Sequence, residues 1–326
     1  MKHHGKTSAP RKQPGSGAQG ASLGNQEFIS QTNENANCVP TDDRFKYVDD
    51  LSILEIINLL SIGLTKYDFK NHVPSDIPTD AYFINNKNLK SQDYLNQINT
   101  WTQNQKMMIN NKKTKAMIIN FTKNHQFTTR LELNNKNIEV VPEMKILGTI
   151  ISNSLSWNTN TSNLIQKVNK QMLLIKKILG FGASTEEMVH IWNMYCRSIL
   201  EQSAVVWSSS LTQENIDDLE RTQKCFTKLI LKEKYSTYSE ALLLLNMETL
   251  ENRRSKLLLQ FAEKCLKNDK FSNLFPTNQK TGLRKSEKYK VGFCNTERMR
   301  RSSIIQMQHQ LNTEHRYQQE TKNTPV

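Results

Sequence analysis

Two adjacent carboxylates, Asp49 and Asp50, interrupt an aromatic and β-branched run, Phe45-Lys46-Tyr47-Val48-Asp49-Asp50-Leu51-Ser52-Ile53-Leu54. On a strand, successive side chains leave opposite faces, so one carboxylate would enter a cleft and the other turn nearly away. Neighbouring carboxylates repel each other beside apolar residues unless a cation neutralises them. Magnesium suits an all-oxygen ligand set, and two-metal phosphoryl chemistry draws on carboxylates at strand ends. A solvated hairpin turn also accepts Asp-Asp and is the commoner use of the pair. The four residues alone leave both readings open.

Other reactive side chains narrow the choices. The five cysteines, Cys38, Cys196, Cys225, Cys265 and Cys294, form no C-x-x-C pair and no zinc-finger spacing with histidine. An odd, scattered set fits a reducing compartment, with most of them serving as small core residues. His3-His4 has no further ligand nearby. Lys112, Lys113 and Lys115 form a short basic run that reads by default as solvated.

The elements that would position these groups follow from hydrophobic period. Residues 1–40 are rich in Gly, Ser, Gln and Asn, hold too little apolar surface to offset chain entropy, and are expected to be disordered. Residues 66–88 read as a long loop. Leu95, Ile98 and Trp101 step by three along an expected helix over residues 89–104, and residues 116–121 fit a short buried strand. Alternation over residues 127–133, turn residues Asn134 to Asn137 and resumption at Ile138 predict a hairpin. Residues 144–151 read as a further strand, with Gly148 permitting close backbone approach.

Beyond Trp157 the period is helical. Leu164, Val168, Met172, Ile175 and Leu179 form one stripe. Ser184 with Glu187, and Thr237 with Glu240, carry capping-box spacing. Expected stripes are Met188, Ile191, Tyr195 and Ile199; Leu219, Phe226 and Ile230; and Leu250, Leu257, Phe261 and Cys265. Residues 280–322 carry ten basic and four acidic side chains and read as a basic, weakly helical or disordered arm.

Composition bounds the class. The 326 residues suffice for two ordinary domains. With 44 Lys+Arg against 31 Asp+Glu, the net charge of +13 favours polyanionic partners, nucleic acid before membrane surfaces. No apolar run approaches membrane-span length, and the expectation is an intracellular protein, nuclear or cytoplasmic.

The order of motifs carries a resemblance. Tyr47-Val48-Asp49-Asp50 with Leu51-Ser52-Ile53-Leu54-Glu55 resembles the catalytic hairpin of non-LTR, LINE-type retrotransposon reverse transcriptases. Trp101 and residues 108–117 resemble the family's W…N-x-K-K-T-x-x-M segment. Residues 145–151 with Leu155-Ser156-Trp157 resemble its primer-grip element. Tyr195, Ile199-Leu200-Glu201 and Trp207 resemble its thumb pattern, and Leu219-Glu220-Arg221-x-Gln223-Lys224 and Leu250-Glu251-x-Arg253-Arg254 are also typical.

The resemblance runs from about Thr41 to about Pro276 and implies an α+β fold. Residues 1–40 would be a disordered tail and residues 41–151 a partial palm of few antiparallel strands. Residues 152–275 would be an all-helical thumb and residues 276–326 a basic C-terminal tail. It implies RNA-directed DNA polymerase ancestry with an RNA template, a DNA primer and magnesium. Asp49 and Asp50 would bind the metal, Lys113 would stand near the departing pyrophosphate, and Tyr47, Leu147 and Gly148 would meet nucleotide or primer. Lys167, Lys170, Lys176 and Lys177 would contact phosphates without reading sequence. The family's further palm carboxylate, from a strand before the hairpin, has no counterpart in residues 1–43, and polymerase activity by this chain alone is not expected.

Two alternatives remain. One is a non-catalytic basic helical module that binds RNA or DNA. The other rests on residues 158–201, which are similar to a short segment associated with the N-terminus of an alkylated-DNA-repair AlkB homologue. That likeness would imply a methyltransferase or oxoglutarate-dependent oxygenase setting, but the chain has no H-x-D…H triad and no Gly-rich methyl-donor loop.

Overall fold

A computed structural model describes residues 2–3, 6–7, 40, 44–47, 50–57, 81–85, 89–121, 126–278 and 287–322. The chain forms two compact units, Met1–Met144 and Lys145–Val326, and its architecture is mixed helix and strand, compatible with α+β. Lys2–His3 pairs with Lys6–Thr7, while the rest of the expected N-terminal tail before residue 40 lies outside the described residues.

In the first unit, β1 (Arg44–Tyr47) pairs antiparallel with β2 (Asp50–Ile53), with Tyr47 opposite Asp50. The two intervening residues, Val48 and Asp49, lie outside the described residues. Within the expected long loop, Ala81–Ile84 forms β3, which pairs in parallel with β5 (Gln126–Thr129). Helix α1 (Lys90–Asn104) follows β3. Its first free amides, Lys90 N and Ser91 N, donate to the two carboxylate oxygens of Glu55 at 3.0 and 2.9 Å. A remote carboxylate thus caps the positive end of the helix.

The expected strand over residues 116–121 shrinks to β4 (Lys115–Ala116), and Phe121 is exposed. The expected hairpin also shortens. β6 (Glu132–Leu133) turns through Asn134 and Asn135, both at positive φ, into β7 (Lys136–Asn137). Asparagine tolerates that conformation, which a two-residue hairpin turn demands. β8 (Glu139–Val140) pairs in parallel with β4. The small core gathers Ile84, Leu89, Leu131, Leu133 and Ile138.

The chain enters the second unit within β9 (Glu143–Ile146), which pairs with β10 (Thr149–Ser152). Residues 144–151 are therefore a tight hairpin and not one strand. Leu147 and Gly148 turn it, at φ 46° and 88°.

Helix α2 (Asn158–Gly180) buries Leu164, Val168, Met172 and Ile175 as expected. Ser184 and Glu187 complete their capping box at the start of α3 (Thr185–Ile191), which continues as a π-helix over Trp192–Arg197. The buried stripe there is Met188, Trp192, Cys196 and Leu200, and the expected Tyr195 is exposed. The wider π turn keeps residues four apart on one side, so the stripe steps strictly by four.

After α4 (Ala204–Trp207) comes α5 (Gln213–Leu231), with Leu219, Phe226 and Ile230 buried; Trp192 stacks on Phe226 at 4.4 Å. Thr237 caps α6 (Tyr238–Leu244). Helix α7 (Leu250–Leu266) buries Leu250, Arg254, Leu258, Ala262 and Cys265, so its inward face is rotated from the expected one and Phe261 is exposed.

The expected C-terminal arm is packed structure over its described residues. After α8 (Asp269–Ser272) and α9 (Glu297–Arg300), α10 (Ser303–Lys322) buries Ile305, Met307 and Leu311, the last two in a cluster with Leu258, Ala262 and Cys265 of α7. Polar residues hold it there. Asn312 accepts from Tyr289 N at 2.8 Å and donates to Tyr289 O at 2.9 Å, while Gln308 accepts from Gly292 N and donates to Leu274 O.

Candidate nucleic-acid interface

The expected catalytic residues of the first unit stand on separate elements. Asp50 is exposed at the start of β2, and Asp49 is outside the described residues. Lys113 is exposed on a turn whose amides, Lys112 N and Lys113 N, donate to Asn110 Oδ1. No hydrogen bond or ion pair joins Asp50 to Lys113 among the described residues. Lys115 instead pairs with Glu139 across the β4–β8 ladder. Among the described residues no three His, Cys, Asp or Glu side chains gather at metal-binding distance.

The second unit offers a different kind of surface. Helix α2 carries Lys167, Lys170, Lys176 and Lys177 and no acidic residue along its 23 positions. Lys170, Lys176 and Lys177 are exposed, and Lys167 is half-buried. Positions seven apart on a helix share a face, which puts Lys170 and Lys177 in line with exposed Leu173 and Leu174 between them. Beside this face a groove of about 270 Å³ is lined by Gln171, Leu174, Ile175, Ile178, Ile191 and Tyr195. Tyr195, left out of the core by the π segment, presents its ring there.

The hairpin tip is locked to the same unit. Asn160 at the start of α2 accepts from Ile150 N of β10 at 3.1 Å. Gln202 donates to Leu147 O at 3.3 Å. A Cβ on Gly148 would stand 2.3 Å from Gln202 Nε2, so close seating and positive φ both call for glycine. Leu147 is half exposed in a left-handed conformation that costs a leucine about 1–2 kcal/mol.

Residues 197–201 and 220–254 of the second unit meet one another through polar contacts. Glu201 accepts from Arg253 Nε at 2.5 Å and Nη2 at 3.2 Å, with Arg197 Nε 3.7 Å away. The Glu201 carboxylate holds the Arg253 guanidinium above its ordinary range, whereas burial and the neighbouring Arg253 lower Arg197. Glu220 accepts from Glu251 N at 2.8 Å, capping α7, and from the Tyr238 hydroxyl at 2.6 Å. Burial, then the hydrogen bond to Glu220, raises the Tyr238 phenol well above its usual range. Gln223 donates to Glu248 O at 2.8 Å and to Tyr238.

Arg254 is 4% exposed, with one guanidinium nitrogen lacking a partner among the described residues. Burial lowers its pKa, opposed by Glu220, Glu251 and Glu201. Burial also pushes the Cys196 thiol up to about 12, so it is no nucleophile.

The chain matches no family model, no curated protein and no solved structure.

Sequence reasoning missed Glu55 as a helix cap, Gln202 as the seat of the hairpin and Arg254 as a buried charge. A signal for Arg254 existed. It occupies the slot between Leu250 and Leu258 at four-residue steps, where an apolar residue would be expected. The roles of Glu55 and Gln202 depend on partners 35 and 55 residues away, which no local pattern reveals.

Proposed function

We propose that this chain is a reverse-transcriptase segment of the non-LTR retrotransposon type, whose own activity is to hold nucleic-acid backbone on its helical unit without polymerising. The observation that carries the reading is the Glu201–Arg253 pair. It joins two motifs that resemble the family separately in sequence, Ile199-Leu200-Glu201 and Leu250-Glu251-x-Arg253-Arg254. Motifs shared by chance have no reason to be spatial partners.

In the proposed parent enzyme, Asp49 and Asp50 would hold magnesium, which would supply charge stabilisation for nucleotidyl transfer. Tyr47, Leu147 and Gly148 would serve nucleotide or primer binding, and Lys113 would assist the departing pyrophosphate. Support for the hairpin is the Tyr47–Asp50 pairing of β1 with β2. For the chain itself, Lys170, Lys176 and Lys177 attract phosphates, and Tyr195 with Leu174 offers apolar surface to bases. Aromatic stacking together with backbone charge binds single strands with little sequence preference. The absence of acidic residues from α2 favours this non-catalytic function.

The test uses the purified 326-residue chain with an RNA template annealed to a DNA primer. Binding that weakens steeply with salt, and no primer extension in magnesium, are expected. Magnesium-dependent synthesis would overturn the non-catalytic assignment. No binding at low salt would overturn the interface.

A further inference from the structure

The junction between α9 and α10 reads Arg298-Met299-Arg300-Arg301-Ser302-Ser303. All three arginines are exposed. Arg300 and Arg301 share the single carboxylate of Glu297, and Arg298 has no ion pair among the described residues. Three cations and one anion thus precede two hydroxyls. The second hydroxyl is also a structural seat. Ser303 Oγ lies 3.0 Å from Val206 O of α4, to which it donates, and 3.0 Å from Ser209 Oγ. Ser210 Oγ donates to Arg301 O at 2.9 Å. These bonds tie the first turn of α10 to α4 and the 3₁₀ turn Ser208–Ser210. Farther along, α10 is held by the buried amides of Gln308 and Asn312.

We propose that Ser303 is a phosphoacceptor for an arginine-directed serine/threonine protein kinase, and that its phosphorylation releases the first turn of α10 from α4. Arg300 and Arg301 stand three and two residues before Ser303, the spacing an acidic kinase groove takes once the short α9–α10 junction opens into extended chain. The kinase supplies ATP. The Ser303 Oγ–phosphorus bond forms, the γ-phosphorus bond to the bridging oxygen of ADP breaks, ADP leaves, and the hydroxyl proton passes through the kinase's base to solvent.

The consequence follows from charge. A phosphate cannot donate to Val206 O as the hydroxyl does, and its oxygens repel that carbonyl. The same dianion suits the first turn of a helix, where free N–H groups and the dipole favour it. Helix α10 therefore keeps its helicity while its seat on α4 opens. The inference does not depend on nucleic-acid binding.

The test treats the full chain with the catalytic subunit of cyclic-AMP-dependent kinase and labelled ATP, and maps phosphate by mass spectrometry. Phosphate on Ser303 is expected, with incorporation lost in Ser303→Ala and slowed about tenfold or more in Arg300→Ala, which leaves the Ser303 contacts in place. Amide exchange across residues 203–211 should quicken about tenfold after phosphorylation, the equivalent of one lost hydrogen bond. Phosphate on Ser302 alone, none on either serine, or an Arg300→Ala rate equal to wild type overturns the phosphoacceptor assignment. Full incorporation with unchanged exchange overturns the release.

Discussion

Arg253 grips Glu201 with two guanidinium nitrogens, at 2.5 and 3.2 Å, across 52 residues of sequence. The Glu201 side chain is 14% exposed and that of Arg253 28%. A carboxylate this enclosed tolerates poorly the loss of its bidentate cation, for which Arg197 at 3.7 Å compensates only in part. Arg253→Ala should destabilise the second unit by about 2–3 kcal/mol, the range for hydrogen bonds to charged groups. In a double-mutant cycle with Glu201→Gln, urea melts should give a coupling of about 1–2 kcal/mol. Additive effects would mean that the two groups do not meet in solution.

Gly148 is held by two constraints that separate experimentally. Alanine there keeps the φ penalty of about 1 kcal/mol and adds a collision with the flexible end of Gln202. Gly148→Ala should cost about 1–2 kcal/mol, and less in a Gln202→Ala background, because only the backbone part then remains. Equal costs in both backgrounds would show that the Gln202 amide does not seat the hairpin.

Asn312 pairs with both backbone polar groups of buried Tyr289, its N–H and its C=O. Asn312→Ala leaves a buried N–H and C=O without partners, so about 2–3 kcal/mol should be lost. Amide exchange at Tyr289 should accelerate in the same variant. Slow exchange retained at Tyr289 would contradict the clamp.

Acid sensitivity has a defined sign. The Ser184 backbone amide and then its hydroxyl hold Glu187 below the ordinary carboxylate value of 4.5, and the hydrogen bond from Lys256 does the same for Glu248. A depressed folded-state pKa contributes stability that is complete above the unfolded value and disappears as pH falls through the folded value. The contribution is therefore whole at neutral pH and lost below about pH 4.5. Glu187→Gln, which removes the titrating carboxylate itself, should flatten the stability profile over that acid window and leave its shape above it unchanged. Urea midpoints collected from pH 3 to 7 check this.

The sequence made the helical unit more legible than the first unit. In α2 and α5 the apolar period marked elements whose inward residues are those expected, and in α3 the capping box marked where the helix starts. Two corrections arose where the period changed or a polar residue entered the core. The π segment shifted the α3 stripe from Tyr195 to Trp192 and Cys196, and Arg254 turned the buried face of α7. In the first unit, two-residue strands paired in parallel across 24 residues, as Lys115 with Glu139, leave almost no local signature.

Site legibility divided similarly. The Tyr47–Asp50 stretch could be singled out by residue type, whereas Lys113, Leu147 and Gly148 stood out as site residues only through the family resemblance, the local pattern reading residues 144–151 as one strand. Gln92 shows what could not. Its buried amide accepts from Glu132 N and donates to Glu132 O, the same device Asn312 uses on Tyr289. A carboxamide with a partner 40 residues away reads in sequence as one more polar helix residue.

The central claim is that the α2 lysines hold phosphate, and it is tested most directly by a salt series. Fluorescence anisotropy of a labelled single-stranded oligonucleotide would compare the full chain with Lys170→Gln/Lys176→Gln/Lys177→Gln. Three lost phosphate contacts should lower the slope of log affinity against log salt by about 2 and weaken binding about tenfold or more near 0.1 M salt. Identical slopes and affinities for the two proteins would contradict the account.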